Sequence, residues 1–438
     1  GPRRQRQMCI RDWPAPVEVA DVIHLSGALD DEHRARFVAA VADPLLQHAS
    51  WDAPTSDGIE ITFLPGVTDT AADAVLHAAG QLGIELTAAA TARRIEFGPG
   101  VEPDLTDEVV RRVVANPVIE RWGHGLVEPP HLDDAPGHAD AELITIRGLD
   151  DDGLLALNIE RSLYLDLEEL RVIRDEYERL GREITDVEIE TLAQTWSEHC
   201  AHKTFRALID TTGGPDGPGE VTPLLTQLRA CTDSIDAPFV RSAFVGNAGV
   251  IEFTEGPTIA LKAETHNHPS AVEPFGGANT GVGGVIRDVL GIAHRPIAVT
   301  DILCFGPADL PLADLPDGAL HPRRIRDGVV DGVADYGNKI GLPTVAGAVL
   351  YDPAYTTNPL VFAGCIGTAP SRPIHDGPFP GDRVVVLGGA TGRDGIRGAT
   401  FSSATMDATT GEVAGASVQI GDPIVEKLLI DALIGACL

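Results

Sequence analysis

Lysine is nearly absent from this chain: only four of its 33 basic residues are lysine, and the rest are arginine. Aromatic residues make up 5% and methionine occurs twice. No apolar run approaches the roughly 18 residues that a membrane-spanning helix needs, so such a helix is excluded, and no signal peptide is visible. The opening Gly1-Pro2 lacks a start methionine and reads as a processing scar. Positive charge is also scarce: 65 acidic residues leave a net charge of −32, which argues against a nucleic-acid-binding or anionic-membrane surface. The acidity reads as a solvated surface. The cysteines at 9, 200, 231, 304, 365 and 437 show no paired spacing, which suits a reducing cytoplasm rather than a disulfide framework.

What remains is globular. The chain has 438 residues and is 43% hydrophobic, which suggests two to four domains with ample core. The few lysines are not scattered. Lys203, Lys262 and Lys339 lie inside polar motifs, and Lys427 follows the Gly421-Asp422-Pro423 turn.

The densest motif runs from Lys262 to Asp288, KAETHNHPSAVEPFGGANTGVGGVIRD. Val-Ile-rich segments flank it, so it reads as a loop between a strand and a helix. A lysine can sit on phosphate as a point charge, and carboxylates such as Glu264 and Asp288 can hold Mg²⁺ while it keeps several waters. Glycines 276, 277, 281, 283 and 284 would let backbone N–H groups approach an anion. Histidine among polar neighbours can move a proton near neutral pH. The bland alternative is a glycine-rich turn with incidental polar residues.

A second cluster is Trp196-Ser197-Glu198-His199-Cys200-Ala201-His202-Lys203-Thr204. His199-x-x-His202 and His266-x-His268 have spacings compatible with tetrahedral zinc, but no cysteine pair or HExxH accompanies them. Cys200 could be a nucleophile beside His199; the competing reading is a small buried filler. Arg393 and Arg397, in a glycine-rich loop over 388–398, are either phosphate contacts or solvated arginines.

The order of elements is readable. Residues 59–122 predict strand, helix, strand, helix, strand: Ile59–Leu64 alternates, Ala71, Ala72, Val75, Leu76 and Ala79 share a helical face, 85–97 is extended, and 105–115 is helical. Residues 17–51 look like an abbreviated copy, since Val41-Ala42-Asp43-Pro44-Leu45-Leu46 is echoed by Val114-Ala115-Asn116-Pro117-Val118-Ile119. An acidic, proline-bearing linker follows. Asp166 with Glu169 can cap a helix that Gly181 ends, and Thr185 with Glu188 forms a capping box for a second helix, expected to deliver His199 to its C-terminal end. From about 222, strands (248–253, 257–264, 296–305, 343–350, 359–367) alternate with helices (279–291, 322–340). Arg383–Leu387 reads as a buried strand, and Ile424–Ala436 as a helix.

Together the two motifs resemble phosphoribosylformylglycinamidine synthase, the glutamine-dependent amidotransferase of purine biosynthesis. Tyr336-Gly337-Asn338-Lys339, Asn358-Pro359-Leu360-Val361, the run from Gly392 to Phe401, and Gln419-Ile420-Gly421-Asp422-Pro423 extend the resemblance over roughly 155–438. Residues 1–125 resemble a duplicated small accessory subunit, mainly through Ala115-Asn116-Pro117-Val118-Ile119-Glu120; the alternative is an unrelated small α+β domain. The resemblance implies a mixed α+β and α/β chain: a small βαβ-type domain (1–125), an acidic linker (126–158), a helical linker domain carrying Ser-Glu-His-Cys (159–221), a synthetase N-terminal lobe (222–370), and the start of an incomplete C-terminal lobe (371–438). The fold would be that of aminoimidazole-ribonucleotide synthetase, whose first lobes pair into a barrel.

The implied activity is ATP-dependent amidation of formylglycinamide ribonucleotide to its amidine, through an iminophosphate, with ammonia from glutamine. Glu264 and Asp288 would bind Mg²⁺; Lys262 and His202 would contact ATP. Thr265, His266, Asn267, His268, Arg287 and Gln419 would hold the ribonucleotide. His199 and His266 would be catalytic, His266 as general base. The chain departs from the family in ending at Leu438, before a second half and without a glutaminase, so it reads as the N-terminal half of the synthetase. Expected partners are the C-terminal half and a glutaminase. A smaller departure, Ala346-Gly347-Ala348 in place of Gly-Gly-Glu, carries no assigned function. Alternatives are a non-catalytic nucleotide-binding or assembly module and a related selenophosphate synthetase or thiamine-phosphate kinase; those relatives lack both leading motifs.

Overall fold

The computed structural model describes residues 2–3, 17–51, 58–65, 67–98, 101–116, 119–129, 141–213, 219–254, 256–370, 378–388, 395–408, 410 and 417–437. Cys9, Pro117-Val118, the core of the acidic linker (130–140), and Gly392, Arg393 and Asp394 of the glycine-rich loop lie outside them. The chain divides into two compact units: residues 1–137 with 391–394, and residues 138–390 with 395–438.

In the first unit, strands β1 (Val17–Ser26), β2 (Ile59–Phe63), β3 (Ala88–Phe97) and β4 (Glu120–His124) form one antiparallel sheet in the order β1-β3-β2-β4. Helices α1 (Asp31–Val41), α2 (Thr70–Gln81) and α3 (Pro103–Val109), the last extended by a wide turn to Val114, supply its cover. Alternation decides the face: Ile59, Ile61 and Ile95 pack with Val110 and Ala115, while Phe37, Val75 and Ala79 form the neighbouring cluster. The strand–helix order expected over 59–122 is present. Residues 17–51 do not build a second copy of this sheet; only His48–Ala49 pairs elsewhere, with Pro2–Arg3. Their long strand β1 pairs with β3 along all ten residues, so the abbreviated segment completes the same sheet.

The second unit begins with a helical layer: α4 (Asp151–Arg161), α5 (Leu167–Leu180) and α6 (Asp186–Thr195). Both expected capping boxes are present, Asp166 with Glu169 and Thr185 with Glu188, and Gly181 closes α5 in the left-handed conformation at φ 70°. Leu170, Ile173, Tyr177, Ile189 and Ala193 are buried in the core between them. One expectation fails here. The helix stops at Trp196, because Ser197 turns extended and caps a new short helix, α7 (Glu198–Ala201), which carries His199; α8 (Lys203–Arg206) follows. Cys200 is exposed rather than a buried filler.

Beyond helix α9 (Leu224–Ile235) lies a six-stranded sheet, β5 (Val240–Ser242), β6 (Gly249–Glu252), β7 (Pro257–Thr265), β8 (Arg295–Phe305), β9 (Thr344–Tyr351) and β10 (Leu360–Pro370). Its order is β5-β6-β7-β10-β8-β9, antiparallel except for the parallel β8–β9 pair. Helices α10 (Asn267–Val272) and α11 (Pro274–Gly291) lie between β7 and β8 in sequence and α12 (Pro322–Ile340) between β8 and β9, while α13 (Gly398–Phe401) and α14 (Pro423–Cys437) come after β10. Ala260, Val299, Ala363 and Cys365 of the sheet are buried against Val282, Val285 and Ile286 of α11, Tyr336 of α12 and Ile430 of α14. The other face is open: Leu261, Ile297 and Ile302 are exposed, as is every residue of β9.

Two sequence expectations are overturned in this unit. The glycine-rich stretch is not a loop: Gly276 and Gly277 lie inside α11 together with glycines 281, 283 and 284, which fall within the helix expected over 279–291; all but Gly284 are buried. They are there for close packing. A Cβ on Gly277 would stand 2.5 Å from the backbone of Pro269 and Ser270, and one on Gly283 would stand 2.4 Å from the Tyr336 ring. The apolar run Arg383–Leu387 is neither a strand nor buried; Val384 is 96% exposed, and no described strand pairs with it.

Candidate active site

Strand alternation puts Lys262 and Glu264 on the helix-covered face of β7, near its C-terminal end. The chain then turns at His266, whose N–H donates to Val361 O at 2.8 Å. The turn is fixed by Asn267, whose Oδ1 accepts the Val361 N–H at 2.8 Å. Helix α11 returns antiparallel above the strand and brings Asp288 over Lys262.

The resulting cluster is tight. Lys262 Nζ is 2.8 Å from Asp288 Oδ2 and 3.7 Å from Glu264 Oε2. His266 Nε2 is 3.4 Å from Glu264 Oε1, and Asn247 Nδ2 donates to Asp288 Oδ1 at 3.0 Å. His266 holds the Glu264 carboxyl below the usual carboxylate range; burial opposes this, and the charges of Lys262 and His199 reinforce it. Gly281 leaves room for the imidazole, since a Cβ there would meet the His266 ring at 3.1 Å. The buried Nδ1 of His266 has no hydrogen-bond partner among the described residues.

His199 is exposed on α7, with Nδ1 3.2 Å from Ser402 Oγ, and its charge still reaches Glu264. His202, exposed, occupies the left-handed junction between α7 and α8 at φ 53°. Lys203 is taken by Glu169 at 2.6 Å. All four lysines are in fact paired with carboxylates, the others being Lys339 with Asp335 and Lys427 with Asp431.

The expected substrate residues divide. Thr265 is exposed, one step out of phase with Glu264, so alternation points it to the open face of the sheet. His268 Nε2 lies 3.0 Å from Ala404 O and its ring stands edge-on to Phe401, so it anchors the 395–408 segment; burial lowers its pKa, which the Ala404 carbonyl partly offsets. Gln419 is exposed, its backbone carbonyl accepting from Thr280 Oγ1 at 2.8 Å and its side chain lying against Gly395. Arg287 Nη1 donates to Glu426 Oε2 at 2.7 Å. Arg397 is spent on Glu190, at 2.9 Å.

Sequence reading missed Asn247, Ser402, Tyr336 and Glu426. The last sits five residues past Gly421 on α14, and a Gly-Asp-Pro helix start was the only local signal for it. Among the described residues no three His, Cys, Asp or Glu side chains gather in a metal-ligating group. Glu264 and Asp288 therefore offer two hard oxygen donors, which fits an ion such as Mg²⁺ that takes its remaining ligands from water and phosphate.

Residues 245–369 match the family model described as AIR synthase related protein, N-terminal domain, and residues 154–203 match the formylglycinamide ribonucleotide amidotransferase linker domain. Most of the large sheet and its lysine–carboxylate strand end lie within the first of these matches. Over that lobe and its linker, the chain is similar to the phosphoribosylformylglycinamidine synthase subunit PurL. The subunit from Thermoplasma acidophilum is 41% identical over 295 residues, covering 67% of this chain and 36% of the relative. That from Parafrankia sp. is 42% identical over 273 residues, covering 60% and 32%. The solved structure titled "T. maritima PurL complexed with FGAR" is 35% identical, with a TM-score of 0.44 over 62% of this chain and 37% of that one. The chain spans about a third of the length of the curated relatives it matches. Among the described residues no helix is long and apolar enough to cross a membrane.

Proposed function

We propose that this chain supplies the ATP-binding and substrate-binding lobe for conversion of formylglycinamide ribonucleotide to its amidine in the cytoplasm. The observation that carries the reading is the cluster of Lys262, Glu264, His266 and Asp288 where β7 meets α10 and α11. An amide oxygen is a poor leaving group. Transfer of the γ-phosphoryl group of ATP to that oxygen gives an iminophosphate and ADP; ammonia then adds to the carbon, loses a proton, and phosphate departs. Such a transfer needs neutralised charge and alignment more than covalent help.

Lys262 would meet the phosphates of ATP, with His202 at the nucleotide's edge. Glu264 and Asp288 would hold Mg²⁺, which when bound neutralises phosphate charge. His266 is oriented by Glu264 through Nε2, which suits it to take the proton lost by ammonia. His199, whose charge reaches Glu264, would stabilise the phosphorylated intermediate. Arg287, Gln419, Asn267 and His268 would surround the ribonucleotide, Asn267 and His268 by shaping its walls; Thr265, on the open face of the sheet, would not reach it. In this reading the domain divisions are those read from the sequence. The open face of the sheet accepts a matching lobe from the remainder of the synthetase, and a glutaminase supplies ammonia.

The test is ATP hydrolysis dependent on formylglycinamide ribonucleotide, with ammonium chloride and Mg²⁺, first with this chain alone and then with the remaining two-thirds of a PurL relative added. Turnover in either mixture supports the proposal. ATP binding without turnover in both would assign the chain to the alternative, a nucleotide-binding assembly module.

A further inference from the structure

The strongest polar network outside the lysine–carboxylate cluster joins three helices. Glu426 of α14 is 5% exposed, and its Oε2 accepts both from Arg287 Nη1, at 2.7 Å, and from Tyr336 Oη. Tyr336 is fully buried, with Arg287 Nη1 3.4 Å from its hydroxyl. Room for its ring is made by glycine on two sides: a Cβ on Gly283 would lie 2.4 Å from the ring and one on Gly421 3.0 Å. Arg287 itself is 43% exposed along its side chain. Its hydrogen bonds among the described residues are made by Nη1, which leaves Nε and Nη2 without a hydrogen-bond partner there.

A buried carboxylate that serves only to join helices has no need of a half-exposed arginine. A purely structural pair would more economically present two parallel donors of one edge to the carboxylate, because a bidentate fork is the stronger arrangement, whereas only Nη1 meets Glu426. Here Nη1, anchored on Glu426 and Tyr336, orients the guanidinium and leaves Nε and Nη2 as two parallel donors, the pattern that recognises a phosphate monoester.

We propose that Glu426, supported by Tyr336, is a positioning residue that fixes the plane of Arg287 so that its free edge receives the phosphate of the ribonucleotide substrate. This rests on the function proposed above. It also makes α14, which lies beyond the residues of the AIR synthase related match, part of the site's machinery.

The experiment is calorimetric titration of formylglycinamide ribonucleotide into the full chain, for wild type, Glu426→Gln, Tyr336→Phe, Arg287→Lys and the double variant Arg287→Lys/Glu426→Gln. Glu426→Gln keeps shape but removes the charge that anchors Nη1, and should weaken binding about tenfold. Tyr336→Phe should weaken it less. The double variant should bind no worse than Arg287→Lys alone, because both changes act through one guanidinium. Additive losses, or unchanged affinity in Glu426→Gln, would overturn the proposal. If wild type does not bind the ribonucleotide at all, the functional reading fails separately. Positioning is then read from the Nε–Hε resonance of Arg287 in ¹⁵N-labelled chain. A sharp wild-type resonance that broadens in Glu426→Gln sustains positioning, and one unaltered by the substitution refutes it.

Discussion

Lys262 and Asp288 meet across the gap between the large sheet and its covering helix, ammonium to carboxylate at 2.8 Å. The same ammonium lies 3.7 Å from Glu264, so one positive charge is shared by two carboxylates 24 positions apart in sequence. In the function proposed above, a divalent cation and the lysine would compete for the same oxygens until phosphate arrived to take the lysine.

Removing the lysine should reveal that competition. Lys262→Met should bind Mg²⁺ about tenfold more tightly than wild type in the absence of nucleotide, because a neighbouring positive charge has gone. Glu264→Gln and Asp288→Asn should lose Mg²⁺ binding under the same conditions. Calorimetric Mg²⁺ titration of the three variants checks this; equal affinities across all of them would remove the metal role.

His266 is proposed to act in the amidation itself, so its loss should not be rescued by changing the nitrogen source. In the complete enzyme, His266→Ala should lower amidine formation by about 100-fold with either glutamine or ammonium chloride, the usual scale for a lost general base. A defect confined to the glutamine-dependent rate would place the fault in ammonia delivery instead.

Much of this architecture was legible because the signals were local. Asp166, Glu169, Thr185 and Glu188 announce two helix starts by chemistry that acts over three residues, and Gly181 announces a helix end. The alternation of β7 places Lys262 and Glu264 on one face without any tertiary information. What misled was non-local. Glycine is a poor helix former, so the expected helix began only at 279 and Gly276 and Gly277 read as loop; only the closeness of Pro269, His266 and Tyr336 explains why the helix there must be bare. Val384–Leu387 has the composition of a buried strand, but burial depends on a partner that composition does not name. The Arg287–Glu426 pair spans 139 positions, and neither residue carries a mark of the other.

The helical reading of the glycines has its own consequence. Gly277→Ala would put a methyl group 2.5 Å from Pro269 C and Ser270 N, both backbone atoms that cannot swing aside. The helix must shift, at a cost of about 1–3 kcal/mol, and the melting temperature of this unit should fall by several degrees. A phosphate-cradling glycine would behave differently, losing nucleotide affinity with the melting temperature unchanged.

Asp301 gives a prediction whose sign depends on pH. It lies on β8 at 6% exposure, in register with Ala363, which in turn pairs with Glu264. Its Oδ2 has no hydrogen-bond partner among the described residues, and burial alone pushes its pKa up to about 6 from 3.8. A raised carboxyl pKa means that the folded chain keeps a proton which the unfolded chain releases. The group's contribution to stability is thus fully present below about pH 4 and is lost as pH rises to about 6, after which the deficit is constant at roughly 3 kcal/mol. Asp301→Asn cannot ionise and nearly keeps the shape. Its melting temperature relative to wild type should be near zero at pH 4 and higher by several degrees at pH 7.5, with the change falling between. Calorimetry of both proteins across that range reads the difference, in which the many other carboxylates of this acidic chain cancel. A difference independent of pH would mean that Asp301 is already paired or hydrated in solution.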